Sequence, residues 1–271
     1  MTLDASNQQT SLFPGPVSSL IFEQPLNERI RNCLRLEHLF LGIEAGIQNA
    51  GEWDARNAIS RMLEVSDFLT RTDIKGEIIK ELERHMSTLA GLKNNPGVDP
   101  TALDETLKAI SDILHKLKPA EYQPGSALRN DELTSQLRQR LSIPGGTCNF
   151  DVPAFHFWLN ADPSLRQAHL NDWMRDLRIV EDAITMILSL IRISSSPRTV
   201  TADSGFYQQQ IDSTLPCQIV RVVMPAELQA FPEISGGKHR FTVRFYNQPQ
   251  TCVRPSQLSN DVQFELHCCG I

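Results

Sequence analysis

The chain has 271 residues, of which 41% are hydrophobic and 21% are charged, and its formal net charge is −6 at pH 7. A dedicated nucleic-acid binder usually carries a strong basic excess, so this acidic balance disfavours that class. The sequence predicts neither a transmembrane helix nor a secretory signal, because it has no long apolar run and no basic segment before an apolar one. The six scattered cysteines indicate free thiols, and we expect a cytoplasmic protein.

The first part of the chain is predicted to be a tail followed by a helix. Residues 1–19 are polar and predict a flexible N-terminal tail. A short extended piece, Leu20–Glu23, leads into a helix from about Pro25 to Gly46, since proline is favoured in the first turn. Glu37 falls within the apolar face of this helix. Because a buried carboxylate needs a partner, we expect an interhelical salt bridge at this residue.

Helical periodicity continues to residue 193. Asp99-Pro100 and Asp162-Pro163 mark two helix starts, in which aspartate caps the helix and proline takes its first position. The last helix, Ile179–Ile193, has only a narrow polar stripe, which is typical of a central core helix or of a helix at a dimer seam. The other predicted helices cover about Asp54–Thr70, Asp73–Leu89, Asp99–Leu117, Asp131–Leu141, a short segment with His156 and Trp158, and Asp162–Leu177.

After Arg198 the periodicity changes to short alternating stretches that indicate strands. We predict a small antiparallel sheet of about four strands with one packed face and one wet face. The fold class is therefore α+β, with an all-α helical domain over residues 20–198 followed by a β-strand domain over residues 199–271. The candidate strands are Gly205–Gln209, Gln218–Met224, Lys238–Asn247 and Val262–His267.

The stretch Lys238–Tyr246 carries the clearest candidate binding surface. Its alternation places Phe241, Val243 and Phe245 on one face of a strand, and places Arg240 and Arg244 on the other. The strand therefore offers two arginines to a partner. The alternative is that both arginines are solvated or paired with acidic residues of a neighbouring strand.

A second basic stripe lies on the first predicted helix. Arg31, Arg35 and His38 share one side of the helix. The alternative is a solvated face on which Glu28 pairs with Arg31 at a spacing of three residues. Two separated basic surfaces on an acidic chain favour a protein partner that carries acidic groups.

Three other functional classes have weaker support in the sequence. A zinc site could use His267, Cys268 and Cys269, but adjacent cysteines on a strand point to opposite faces. The glycines of residues 142–151 do not form a phosphate-binding motif, and the sequence contains no nucleophile motif, so no enzyme and no cofactor is predicted. An RNA-binding strand would need exposed aromatic side chains, whereas Phe241 and Phe245 share the apolar face.

Several blocks in the same order resemble the ZapD family of bacterial cell-division proteins. Together they span most of the chain from about residue 20 to residue 269. The blocks are FEQPLNERIRNCLRLE (Phe22–Glu37), IIKELERH (Ile78–His85), PGVD (Pro96–Asp99), RQRLSIPGG (Arg138–Gly146), FDVPAFHFWL (Phe150–Leu159), TMILSLIR (Thr185–Arg192), GFYQ (Gly205–Gln208), ISGGKHRFTVRF (Ile234–Phe245) and FELHCC (Phe264–Cys269).

The resemblance implies a cytoplasmic, non-enzymatic homodimer at the mid-cell division site. Members of the family bind FtsZ, the tubulin-like GTPase of the division ring, largely through the C-terminal tail of FtsZ, and cross-link its filaments. No cofactor, nucleic acid or membrane partner is implied. Where some relatives carry a basic residue, this chain has Glu132, so a contact there should be absent or reversed in charge. By position, the basic partner-binding residues of the family fall on Arg31, Arg35, Arg71, His156, Arg221, Arg240 and Arg244.

Overall fold

The computed structural model describes residues 19–49, 51–71, 73–212, 217–237 and 239–271, without the side chain of Arg71. The predicted N-terminal tail lies outside the described residues, apart from Ser19, which begins a strand. Contacts divide the chain into two units. The helical unit comprises residues 27–194 and Ile271, and the β unit joins the segment that ends at Leu26 to Ser195–Gly270. The predicted α+β class, with helices followed by antiparallel strands, is confirmed.

The helical unit follows the predicted periodicity. A helix is present in each predicted region, and one further short helix, α5, had no counterpart among the predicted helices. In chain order the helices are α1 (Glu28–Gln48), α2 (Glu52–Arg71), α3 (Ile74–Ala90), α4 (Pro100–Leu117), α5 (Ser126–Asn130), α6 (Glu132–Arg140), α7 (Pro153–Leu159), α8 (Pro163–Met174) and α9 (Arg178–Ile193).

Side-chain caps explain where several of these helices begin. The Asn27 side chain accepts a hydrogen bond from the backbone N–H of Ile30 at 2.9 Å and thereby starts α1. Asp99 and Asp162 cap α4 and α8 in the same way, each followed by proline at the start of the helix. Each cap satisfies a backbone donor that has no partner within the helix, and this typically stabilises the helix by about 1 kcal/mol.

Helix α9 lies at the centre of the helical unit. It packs against α1, α3 and α4, and its buried face includes Ile184, Ile187 and Ile191, each at most 1% exposed. Arg192 of α9 donates two hydrogen bonds to the Glu37 carboxylate of α1, at 2.6 and 2.7 Å. This bidentate pair confirms the predicted interhelical salt bridge. The buried face of α9 is covered within one chain, as expected of a core helix.

The β unit contains two sheets, so the prediction of one small sheet of about four strands was wrong. The first sheet has the strand order β1-β4-β8-β2, and the second has the order β3-β6-β5, with β7 also paired to β6. All described strand pairs are antiparallel. The strands are β1 (Ser19–Pro25), β2 (Arg198–Ala202), β3 (Phe206–Gln210), β4 (Ile219–Pro225), β5 (Phe231–Gly236), β6 (Arg240–Asn247), β7 (Ser256–Gln257) and β8 (Val262–Cys269).

Strand β1 contains the predicted extended piece Leu20–Glu23, and the strands with no predicted counterpart, β2, β5 and β7, lie at sheet edges or are very short. Strand β1 pairs with β4 along its whole length, so residues 19–26 belong to the β unit, whereas the predicted domain boundary placed residue 20 onward with the helices. Strand β5 contains Pro232, which an edge strand tolerates because one side of it needs no partner. The pairing of β1 with a strand about 200 positions away leaves no local signal in the sequence.

The two sheets share one hydrophobic core. Val222 and Leu266 of the first sheet and Val243 of the second are all fully buried in it. The rings of Phe245 and Phe264 connect the two sheets, with centroids 5.0 Å apart. The β unit therefore has its own core, and the alternation along β6 is fixed by it, because one face of that strand must pack against the first sheet.

Candidate partner-binding site

Strand β6 presents two arginines on the face of its sheet that points away from the core. Phe241, Val243 and Phe245 are at most 1% exposed, whereas Arg240 and Arg244 are exposed. The predicted alternation is confirmed over Arg240–Asn247, and Lys238, where the predicted strand began, lies outside the described residues. Because β6 is paired with β3 on one side and with β5 on the other, strand pairing fixes the positions of the two arginines along the sheet.

A shallow groove surrounds the two arginines, and we call it the arginine groove. The guanidinium of Arg244 lies over the ring of Phe206 on β3, with its central carbon 5.3 Å from the ring centroid. Among the described residues, neither Arg240 nor Arg244 forms a salt bridge. The groove is lined by Phe206, Gln208, Ser235, Gly236, Gly237, His239, Arg240, Thr242 and Arg244.

This arrangement is suited to binding carboxylates. A guanidinium can donate two parallel hydrogen bonds to one carboxylate, and two exposed arginines four positions apart on one strand can engage two acidic groups of an extended partner. The Phe206 ring supports the planar Arg244 side chain and limits its conformational freedom. By contrast, Phe241 and Phe245 are buried and cannot stack with bases, so the geometry does not support the RNA-binding alternative.

The basic stripe on α1 differs in being partly neutralised. Arg31 and Arg35 both approach Glu28, at 3.2 and 3.6 Å, and all three side chains are well exposed. The predicted Glu28–Arg31 pair is therefore present. Exposed ion pairs of this kind contribute little to stability, so an acidic partner could replace Glu28 at small cost.

The other predicted site residues have different surroundings. Arg221 lies in the first sheet and forms a 2.9 Å salt bridge with Glu23 of β1, with both side chains more than four-fifths buried. His156 lies exposed on α7, beside Phe157, which is 81% exposed. Arg71 ends α2, and its side chain lies outside the described residues. Glu132 begins α6 and accepts a hydrogen bond from Gln136 at 3.0 Å.

The structure brings only some of these residues together. Arg240 and Arg244 share the arginine groove, and Arg31 and Arg35 share one helix face. Arg221 belongs to a different sheet from the arginine groove.

No group of three or more potential metal-ligating side chains occurs in the described part of the chain. Within that same part, no helix has both the length and the apolar character needed to span a bilayer.

Comparison with known proteins identifies the family of this chain. The family model named ZapD, described as a cell division protein, matches residues 34–244. The chain belongs to the ZapD family. It is 38% identical over 252 residues to the cell division protein ZapD of Methylococcus capsulatus, with 93% of this chain and 98% of that protein covered. The ZapD proteins of Coxiella burnetii and Bordetella pertussis are 34% and 37% identical, and 99% of each is covered.

Membership of the ZapD family establishes a role in cell division. The matched range includes every predicted site residue except Arg31, and it includes the departure at Glu132. No local pattern in the sequence identifies Phe206, Gln208 and His239 as part of the groove. GFYQ (Gly205–Gln208) is one of the blocks that resemble the family, but the register that places Phe206 opposite Arg244 is a property of strand pairing alone.

Proposed function

We propose that this chain binds FtsZ and cross-links its filaments as a cytoplasmic homodimer at the mid-cell division site. The observation that carries the proposal is the arginine groove, with two exposed guanidiniums that have no acidic partner among the described residues, on a chain whose net charge is −6. On a protein whose overall charge is negative, a concentrated positive patch is a specific local feature that attracts a negatively charged partner. Its complement is an extended acidic segment, and the C-terminal tail of FtsZ is the proposed ligand.

The two basic surfaces have distinct parts in this proposal. The arginine groove provides the main contact, because Arg240 and Arg244 form no salt bridge among the described residues that a partner would have to break. Arg31 and Arg35 provide a second, weaker contact in which the partner competes with Glu28. Arg71, Arg221 and His156 remain predicted contact residues. Among the three predicted contact arginines of the β unit, Arg221, Arg240 and Arg244, only Arg221 forms a salt bridge within the described residues, so it has the least charge available to a partner.

Filament cross-linking needs at least two binding sites on one particle. A symmetric homodimer presents the same surface twice, so it can hold two filaments even when each contact is weak. Repeated sites along each filament then make the cross-link strong through avidity. We expect a sedimentation-equilibrium mass of twice the chain mass of 30.5 kDa, and a monomer at micromolar concentration would contradict the cross-linking mechanism.

The test of the partner is co-sedimentation with FtsZ filaments assembled with GTP. We expect the chain to pellet with full-length FtsZ and to form bundles visible by electron microscopy. With FtsZ that lacks its C-terminal tail, filaments should still form but the chain should remain in the supernatant. Pelleting that does not change when the tail is removed would exclude the tail as the ligand.

A further inference from the structure

Two cysteine thiols of the β unit lie against each other beside its hydrophobic core, where polar side chains also approach them. Cys268 is on β8, and Cys217 lies just before β4, the strand that pairs with β8. The two side chains are hydrogen-bonded to each other, and the Cys217 sulfur also contacts the backbone oxygen of Ile219 at 3.6 Å. Both cysteines are free and half-buried, so a small reactant can reach them.

Cys268 is further surrounded by groups that favour a negative charge on its sulfur. The Arg198 guanidinium of β2 hydrogen-bonds to the sulfur, and the Gln209 amide nitrogen approaches it at 3.9 Å. The amide is oriented by its oxygen, which accepts hydrogen bonds from Arg198 at 2.9 Å and from the Tyr207 hydroxyl at 2.8 Å. The groups around this sulfur thus come from several separate segments of the β unit.

These contacts separate the acidities of the two thiols. The hydrogen bond from Cys217, with help from Arg198, lowers the pKa of Cys268 to about 7 even though burial opposes the charge. The same hydrogen bond, together with burial, raises the pKa of Cys217. One cysteine is therefore a thiolate in a large fraction of molecules at neutral pH, and its neighbour remains a thiol.

The remaining cysteines do not share these surroundings. Burial raises the pKa of Cys33 to about 12 and also raises that of Cys269, which lies on the opposite face of β8 from Cys268. Cys148 and Cys252 are exposed in loops. The chain therefore contains its own internal controls for thiol reactivity.

We propose that Cys268 and Cys217 form a peroxide-sensitive dithiol site. The Cys268 thiolate attacks one oxygen of hydrogen peroxide, the O–O bond breaks, and the leaving hydroxide takes a proton to become water, so that Cys268 becomes a sulfenic acid. The Cys217 thiol then attacks the Cys268 sulfur, the S–O bond breaks, and a second water leaves with the Cys217 proton. The two sulfurs are oxidised together by two electrons, peroxide is reduced to two waters, and the product is an intramolecular disulfide.

The disulfide would join segments that are already neighbours, so the β unit should keep its fold. Its main chemical consequence is at Arg198, which would lose the thiolate that faces it. After oxidation, the Cys268 sulfur would no longer carry a negative charge that faces the Arg198 guanidinium. A thiol reductant would reverse the change.

The test uses the full chain, exposed to a few equivalents of hydrogen peroxide and analysed by peptide mass mapping. We expect one disulfide between the peptides that contain Cys217 and Cys268, and its removal by dithiothreitol. In Cys217→Ser, dimedone should instead trap a sulfenic acid on Cys268. The matched control, Cys148→Ser with Cys252→Ser, should form the same disulfide as the unmodified chain.

Iodoacetamide alkylation distinguishes a reactive Cys268 thiolate from two thiols that are only close to each other. The alkylation rate of Cys268 should rise with pH around a midpoint near 7 and, at neutral pH, exceed that of a typical free thiol about threefold, since a larger thiolate fraction outweighs its lower nucleophilicity. Arg198→Gln should move the midpoint upward. A Cys268–Cys269 disulfide, cross-links between chains through Cys148 or Cys252, or a Cys268 midpoint unaffected by Arg198→Gln would each overturn the proposal.

Discussion

In two places in the β unit, an arginine lies directly opposite a glutamate on the neighbouring strand, but the arginine forms a salt bridge with that glutamate in only one of them. Arg221 lies opposite Glu23 and forms a 2.9 Å salt bridge with it. Arg244 lies opposite Glu233, yet its guanidinium is over the Phe206 ring. The first pair is mostly buried, and the second is exposed. A buried charge must have a partner, whereas an exposed arginine gains so little from an ion pair that it can remain available for binding.

The largest expected effect is on stability: loss of the arginine should destabilise the protein more in the buried pair than in the exposed pair. Arg221→Ala should lower the free energy of unfolding by about 1–3 kcal/mol, because it removes a salt bridge from the mostly buried Glu23 carboxylate. Arg244→Ala should change that free energy by less than about 0.5 kcal/mol, as is usual for an exposed side chain. Urea denaturation of the two variants measures both values. Equal destabilisation would show that burial does not distinguish the pairs.

Removal of the aromatic support should weaken binding by an intermediate amount. Phe206→Ala takes away the ring beneath Arg244, and the loss of a cation–π contact of about 0.5–1 kcal/mol corresponds to roughly twofold to fivefold weaker binding of FtsZ. Phe206→Tyr keeps a ring in place and serves as the control. Fluorescence anisotropy with a labelled peptide of the FtsZ C-terminal tail measures the affinity. Equal affinities for the two variants would mean that the ring does not organise the groove.

Neutralising the exposed glutamate should have the smallest effect, and in the opposite direction. Glu233→Gln removes a negative charge beside Arg244 and should strengthen tail binding by up to about twofold, with a smaller gain at high salt because exposed charges are screened over about 8 Å. The same anisotropy titration at two salt concentrations measures the change. Weaker binding would indicate that Glu233 contacts the partner itself.

The sequence was sufficient for the features that depend on local patterns. Periodicity predicted the helices, the position of Glu37 predicted its interhelical partner, and the alternation along β6 predicted which of its side chains are exposed. The pairing of β1 with β4 and of β3 with β6 depends on contacts between distant positions. For that reason, the sequence could not distinguish the paired Arg221 from the available Arg244, or identify Phe206 as part of the site.

The central claim is that the arginine groove is the main FtsZ contact. Its most direct test is co-sedimentation of Arg240→Glu with Arg244→Glu beside a charge-matched variant, Arg175→Glu with Arg254→Glu, which changes two exposed arginines outside the groove. We predict that the groove variant stays in the supernatant, that the matched variant pellets with FtsZ filaments like the unmodified chain, and that both keep the unmodified melting temperature. Full bundling by the groove variant would contradict the claim and would favour the surface of Arg31 and Arg35 instead.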